Sequence, residues 1–261
     1  MGIFEAVILG VVQGLTEFLP VSSSGHLVLL QNVMGFDTVP LFFDTMLHLG
    51  TLIAVVAVLF KEIVEIFKHP IKNHMGMIII AVIPAGIAGL FFGDYFEKAY
   101  TGGVLLAVSF LITAGLLVFS ELAASNLQSK KPVTVKSALA IGFIQIVAIL
   151  PGVSRSGATI SGGLFCGVER NRLAKFSFLI SIPLVLGSVI TTGKDAMDVG
   201  LGDVSIAAIV IGTIAAAAAG FFAVKFMLAI IRRSKLYGFA IYVAALGAFL
   251  LLDQYVLHIV F

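Results

Sequence analysis

Charge is what this chain has least of. Only 11% of its 261 residues are Asp, Glu, Lys or Arg, against 60% hydrophobic, and its mean hydropathy is +1.14; roughly 25% charged is usual for a soluble domain. That deficit excludes an ordinary soluble protein. The lack of alternating polar and apolar segments excludes an outer-membrane barrel, which leaves a helical integral membrane protein. Cysteine is reduced to Cys166, so an intramolecular disulfide is ruled out and a thiolate metal site cannot be built from it alone; it reads as a small packing residue. No Lys or Arg precedes Lys61, so the basic head of a secretory signal peptide is missing and the N-terminal apolar segment is expected to stay in the mature protein. The net charge of +2 is segregated by topology, and nucleic acid is not an expected partner.

Two stretches break the apolar pattern. Gln13 to His26 packs a carboxylate (Glu17), three hydroxyls (Ser22, Ser23, Ser24) and an imidazole around Pro20 and Gly25. Pro151 to Thr159 supplies the guanidinium of Arg155, with Ser154, Ser156 and Thr159 between Gly152 and Gly157. Each interruption lies between two helices too short to cross roughly 30 Å of hydrocarbon comfortably: residues 2–18 and 25–34 around the first, 137–150 and 157–168 around the second. Re-entrant hairpins are expected, with polar turns buried inside protein. Full spans follow each hairpin, at about 39–60, 75–93 and 102–121, then at about 173–193, 205–230 and 236–252. The expected fold is therefore all-α, with six transmembrane helices and two re-entrant hairpins in one membrane domain, 1–261.

The second half repeats the first. Gly10-Val-Val-Gln13 matches Gly142-Phe-Ile-Gln145, and Ser22 matches Ser154, in each case 132 positions on; Gly89-Leu-Phe91-Phe92 has a fainter echo in Gly220-Phe221-Phe222. The repeats are 1–129 (hairpin 2–35 plus three spans) and 130–261 (hairpin 137–168 plus three spans). Three spans per repeat is an odd number, so the halves should be inverted, with the two hairpin tips meeting near the midplane as in transporter folds. Thirteen of the sixteen basic residues fall in alternate loops: Lys61, Lys68, Lys72; Lys130, Lys131, Lys136; Arg170, Arg172, Lys175; Lys225, Arg232, Arg233, Lys235. The opposite loops hold Lys98 and Lys194 among Asp94, Glu97, Asp195, Asp198 and Asp203. The positive-inside rule puts the thirteen in the cytoplasm and both termini outside.

An intramembrane carboxylate is costly and usually functional, so Glu17 is the leading site residue, either orienting His26 or binding a cation, with Gln13 as neutral support. Ser22 to Ser24 would cap the helix near Gly25, and the same helix N-terminus suits phosphate. His26, beside the serines and near Glu17, completes a hydroxyl, base and acid grouping. Arg155 needs an anion, either a phosphate or Glu17 in a purely structural pair. Gln145 repeats Gln13 as hairpin support. Asp44 and His48, four apart, are as compatible with an interface as with a vestibule. His69, His74 and His258 read as solvated, and Phe42-Phe43, Phe91-Phe92 and Phe221-Phe222 as packing or lipid-facing pairs.

The runs Gln13 to His26 and Pro151 to Thr159 closely resemble the two signature motifs of the bacterial undecaprenyl-diphosphate phosphatase family, the bacitracin-resistance type. The resemblance extends over the whole chain in span order and duplication. It implies an inner-membrane enzyme that hydrolyses undecaprenyl diphosphate to the monophosphate carrier of peptidoglycan assembly. It also implies a site opening to the outer face, a divalent cation (Mg2+ or Ca2+), and roles for Glu17, Ser22 or Ser23, His26, Ser154, Arg155 and Thr159. Gln13 stands where some members carry Glu, leaving Glu17 as the candidate metal ligand. In the resulting scheme Ser154, Arg155, Thr159 and the N–H groups near Ser24, Gly25, Ser156 and Gly157 hold the diphosphate. Ser22 or Ser23, deprotonated by His26 under the influence of Glu17, attacks the terminal phosphorus, or else water attacks directly. A secondary transporter or flippase of an anionic or polyprenyl-phosphate substrate is the alternative, and a homodimer is compatible with either. A structural scaffold would leave Glu17 and Arg155 unexplained.

Overall fold

The computed structural model describes residues 1–36, 39–70, 75–98, 103–127, 130–199 and 204–261, with the side chains of all of these except 92–98, 103 and 195–199. The expectations attached to Lys72, His74, Phe92, Asp94, Glu97, Lys98, Asp195, Asp198 and Asp203 lie outside the described residues or side chains. The fold is all-α and multi-pass. Its helices are α1 (Ile3–Phe18), α2 (Ser23–Val33), α3 (Leu41–Val58), α4 (Phe60–Lys68), α5 (Met75–Lys98), α6 (Gly103–Leu127), α7 (Val135–Val147), α8 (Arg155–Phe165), α9 (Arg170–Val199), α10 (Ile206–Arg233) and α11 (Tyr237–Leu252). Among the described residues five helices, α3, α6, α9, α10 and α11, are long and apolar enough to cross a membrane. The described apolar part of α5 is the shorter stretch Met75–Phe91.

The short helices start and stop where local chemistry says they should. α1 ends at Phe18 because Pro20 pushes Leu19 out of the helical region, to ψ 146°. α2 and α8 begin on the same device: Ser22 Oγ accepts from Gly25 N–H at 3.2 Å, and Ser154 Oγ accepts from Gly157 N–H at 3.0 Å. Both finish at a glycine in the left-handed region, Gly35 at φ +75° and Gly167 at φ +73°. α7 opens on a reciprocal capping pair, Thr134 and Ser137.

α1 packs on α10 and α3, α7 on α5, α9 on α3, and α11 on α6; α8 lies among α6, α7 and α9. The α1–α10 contact rests on small residues. A Cβ at Gly14 would sit 2.5 Å from the Ala216 carbonyl oxygen, and Gly10 faces Gly212 in the same way. Backbones this close are the usual means of associating helices in lipid, where apolar side chains have no water to escape. Gly14→Val is therefore expected to force α1 off α10 and cost about 2–3 kcal/mol, read as a lowered melting temperature in detergent beside an unchanged Gly86→Ala control, whose Cβ would meet open space.

α4 replaces what the sequence reading treats as a loop. Its nine residues alternate so that Ile66 is buried while Phe60 and Phe67 are exposed, and Glu62 accepts from Lys175 Nζ of α9 at 2.5 Å. Partial burial pushes the Glu62 carboxyl up, but the Lys175 hydrogen bond, a backbone hydrogen bond and the charges of Lys175 and Lys61 together hold it below its ordinary value. The tie is therefore complete at neutral pH and is lost only as pH falls through that lowered value.

Two buried acids 132 positions apart close other helix ends. Glu121 accepts both guanidinium arms of Arg170 and the Leu236 N–H, joining the ends of α6, α9 and α11. Asp253 accepts the N–H groups of Ile259, Val260 and Phe261 at 2.9 to 3.2 Å, folding the last residues back.

Candidate active site

The two polar interruptions meet. Ser156 Oγ donates to the Leu19 carbonyl at 2.8 Å, Gly152 N–H donates to Ser24 Oγ at 3.4 Å, and a Cβ on Gly25 would run into Gly152 and Phe110. The second tip is held from α6, where Thr113 Oγ1 accepts from Ser154 N–H at 3.0 Å.

Glu17 lies at the centre, with its side chain 4% exposed. Its Oε1 accepts from the Arg155 guanidinium. Its Oε2 accepts from Ser23 Oγ at 2.5 Å and from Gln13 Nε2 at 2.9 Å, and lies 3.5 Å from His48 Nε2. α1 positions Gln13 and Glu17 one turn apart on its buried face, while Ser23 and Arg155 are the first residues of α2 and α8. Ser22, just before, takes φ +70° and ψ 98°, a conformation that costs a non-glycine residue about 1–3 kcal/mol and gathers at functional sites.

These groups open on a cavity of about 1000 Å³. Its lining includes the polar groups Glu17, Ser22, Ser23, Ser24, Ser154 and Arg155, the residues Gln31, Asp44 and His48, and the apolar Leu27, Leu150, Leu184, Val185 and Phe261. Gln31 Nε2 donates to Asp44 Oδ1 at 2.9 Å. His48 Nδ1 is 2.8 Å from the Asp44 carbonyl oxygen, which can only accept, so that nitrogen carries the proton and Nε2 is turned to Glu17.

Other residues singled out in the sequence are placed behind the cavity wall. Thr159 Oγ1 donates to the carbonyls of Arg155 and Ser156 and lies 2.5 Å from Ser177 Oγ of α9, a contact between helices. Ser156 and Gly157 join the hairpins through Leu19 and Pro20. Gln145 is buried, and neither end of its amide has a partner among the described residues. The grouping of Glu17 with His26 is not the arrangement found. His26 Nδ1 is 2.6 Å from the Ser22 carbonyl and Nε2 is 2.8 Å from the Tyr242 hydroxyl. Starting α2 at Ser23 sets that imidazole against α6 and α11, and His48 of α3 takes the place beside Glu17. The four-residue spacing of Asp44 and His48 was the available signal for the second imidazole; Tyr242 and Thr113 carry none.

As donors for a divalent cation, Glu17 and Asp44 are carboxylates on the same cavity. Glu17 is already engaged by Arg155, Ser23 and Gln13, and no cluster of three or more His, Cys, Asp or Glu able to hold a metal ion occurs among the described residues. This set suits an ion held chiefly by substrate phosphate oxygens with one protein carboxylate, as Mg2+ commonly is, rather than a closed protein cage.

A family model described as bacitracin resistance protein BacA matches residues 6–249. The chain is 43% identical over 256 residues to an undecaprenyl-diphosphatase of Carboxydothermus hydrogenoformans, covering 97% of this chain and 98% of that protein. It is 39% identical over 254 residues to an undecaprenyl-diphosphatase of Halothermothrix orenii, with 97% and 98% covered. It is also 39% identical over 255 residues to undecaprenyl-diphosphatase 3 of Bacillus cereus, with 98% of each chain covered.

Proposed function

Because this chain belongs to the bacitracin-resistance family BacA, we propose that its cavity is the active site of an undecaprenyl-diphosphate phosphatase working through Ser23. The observation that carries this reading is the 2.5 Å contact between Ser23 Oγ and Glu17 Oε2 beside Arg155, on the wall of a cavity lined by both polar and apolar side chains. The diphosphate lies against Arg155, Ser154 and the serine run, and the prenyl chain against apolar lining residues such as Leu27, Leu184 and Val185. Arg155 and Ser154 hold the phosphoryl oxygens. Glu17 takes the Ser23 proton as Oγ attacks the terminal phosphorus, the bond from that phosphorus to the bridging oxygen breaks, and the polyprenyl monophosphate departs. Glu17 passes that proton on to His48 Nε2; water then attacks the phosphoserine and gives a proton to Glu17, the bond from phosphorus to Ser23 Oγ breaks, and Glu17 returns the proton to Oγ as phosphate leaves. A divalent cation carried by the diphosphate, with Glu17 or Asp44 as its protein ligand, would neutralise phosphate charge.

The same reading takes the chain as six spans and two hairpins in inverted repeats, lying in the bacterial plasma membrane with termini and cavity on the outer face. Recurrence at an interval of 132 supports the duplication, in the Ser22/Ser154 caps, the Gly35/Gly167 ends and the Glu121/Asp253 acids, as do the thirteen basic residues in alternate loops. Every group invoked comes from one chain, so catalysis requires no second copy.

Purified protein given a polyprenyl diphosphate with Mg2+ or Ca2+ in detergent is expected to release one phosphate per lipid. Failure of well-folded protein to release phosphate would overturn the reading in favour of a transporter or flippase, the class that inverted repeats with broken helices otherwise serve.

A further inference from the structure

We propose that Tyr242 and His26 form a positioning relay that holds the Ser22–Ser23 turn in its attacking geometry, with His26 acting on the backbone rather than as the base. The proposal rests on the serine mechanism above and assigns a role to two residues that this mechanism leaves unused.

The hydrogen bonds define the state of the imidazole. His26 Nδ1 faces the Ser22 carbonyl oxygen at 2.6 Å; that oxygen accepts only, so Nδ1 carries the proton. In the neutral ring Nε2 is then an acceptor, and the Tyr242 hydroxyl, 2.8 Å away, donates to it. Both nitrogens are thereby committed, and neither His26 nor Tyr242 is among the residues lining the cavity. The ring is also fixed in orientation. It stacks on Tyr242 at 5.7 Å between centroids and 17° between planes, and meets Phe110 edge-on at 5.6 Å and 89°.

What this ring holds is the most strained point of the site. The Ser22 carbonyl belongs to the peptide that joins Ser22, at φ +70°, to Ser23, and the same carbonyl accepts the His26 backbone N–H at 3.2 Å. Fixing that peptide plane fixes the Cα of Ser23, and hence the line from its Oγ to Glu17. A peptide free to relax from a left-handed conformation would carry the hydroxyl away from the carboxylate, and small misplacements of a reacting atom are costly in rate. Tyr242 acts one step further back. It comes from α11, which packs on α6, so the second half of the chain supports the nucleophile turn of the first.

The test uses Tyr242→Phe, which keeps the stacked ring and removes only the hydroxyl. Tyr242 is 48% exposed, so this change is tolerated by packing. Loss of this one hydrogen bond, which matters only for geometry, is expected to lower kcat about tenfold with KM within about twofold and no change in melting temperature. His26→Asn, whose amide can still donate toward the Ser22 carbonyl, is expected to retain substantially more activity than His26→Ala. In the His26→Asn background the Tyr242→Phe change should have no further effect, because the relay is already cut. The proposal is overturned if Tyr242→Phe matches wild type, if its loss tracks the folded fraction, if the two changes act independently, or if His26→Asn is as inactive as His26→Ala, the behaviour of a general base. Wild type that releases no phosphate is a different result and sinks the phosphatase reading itself.

Discussion

Ser23→Ala is expected to lower phosphate release by about 10³-fold or more, the loss usual when a nucleophile is removed and only binding and charge stabilisation remain. Two facts separate it from its neighbour. Ser23 Oγ donates to Glu17 at 2.5 Å, so a base is already in contact with the proton that must leave. Ser22 Oγ instead accepts from Gly25 N–H at 3.2 Å and caps α2. Ser22→Ala therefore removes a cap worth about 1 kcal/mol, and a loss of roughly tenfold with a lowered melting temperature is expected. Phosphate release by rapid quench, with a search for a phosphorylated serine peptide, checks both. Near-equal, substantial activity in the two variants with no phosphoserine would replace the covalent route by direct attack of water. Collapse in Ser22→Ala alone would move the nucleophile by one residue.

Arg155→Ala carries the second large effect, and it has to be separated from simple damage. The guanidinium pairs with Glu17, whose side chain is 4% exposed, so removing it strands a buried carboxylate at a cost of about 3–5 kcal/mol. A fall in activity would follow from that alone. If Arg155 also grips phosphate, kcat/KM should drop by about 10³-fold beyond any loss of folded protein, because a charge-assisted, two-pronged contact to a developing anion is among the stronger single contributions to such a site. Arg155→Lys should recover most of the stability, since it restores a positive charge, yet remain at least about tenfold impaired, since an ammonium cannot reproduce the planar fork. The double variant Glu17→Gln with Arg155→Ala removes both charges and should melt near wild type while staying inactive. If Arg155→Ala in well-folded protein works normally, or if activity in the series simply follows melting temperature, the pair is structural and the phosphate is bound elsewhere.

Much of this architecture is legible without coordinates because the signals are local. In lipid a helix must satisfy its own backbone, so the length of each apolar run and the Pro and Gly that interrupt it place most helix ends within a few residues. The runs at 2–18 and 25–34 emerge as Ile3–Phe18 and Ser23–Val33. α4 was hidden because nine residues with four charges look like a loop until Ile66 has something to pack against. Thr159 was legible as polar but not in direction, since its neighbour Ser177 comes from α9.

By itself the sequence determined that this is a helical membrane protein and that Glu17, the serine run and Arg155 belong to one site. Composition sets the class, and a charge inside hydrocarbon demands an opposite charge wherever the chain can bring one. Only the tertiary structure decided which imidazole meets the carboxylate. His26 is the nearer in sequence, but α2 starts at Ser23 and commits its ring to the Ser22 carbonyl and Tyr242, while α3, packed against α1, brings His48 to Glu17. Contacts between helices far apart in the chain depend on which faces pack together, and the spacing of residues within a single motif does not contain that information.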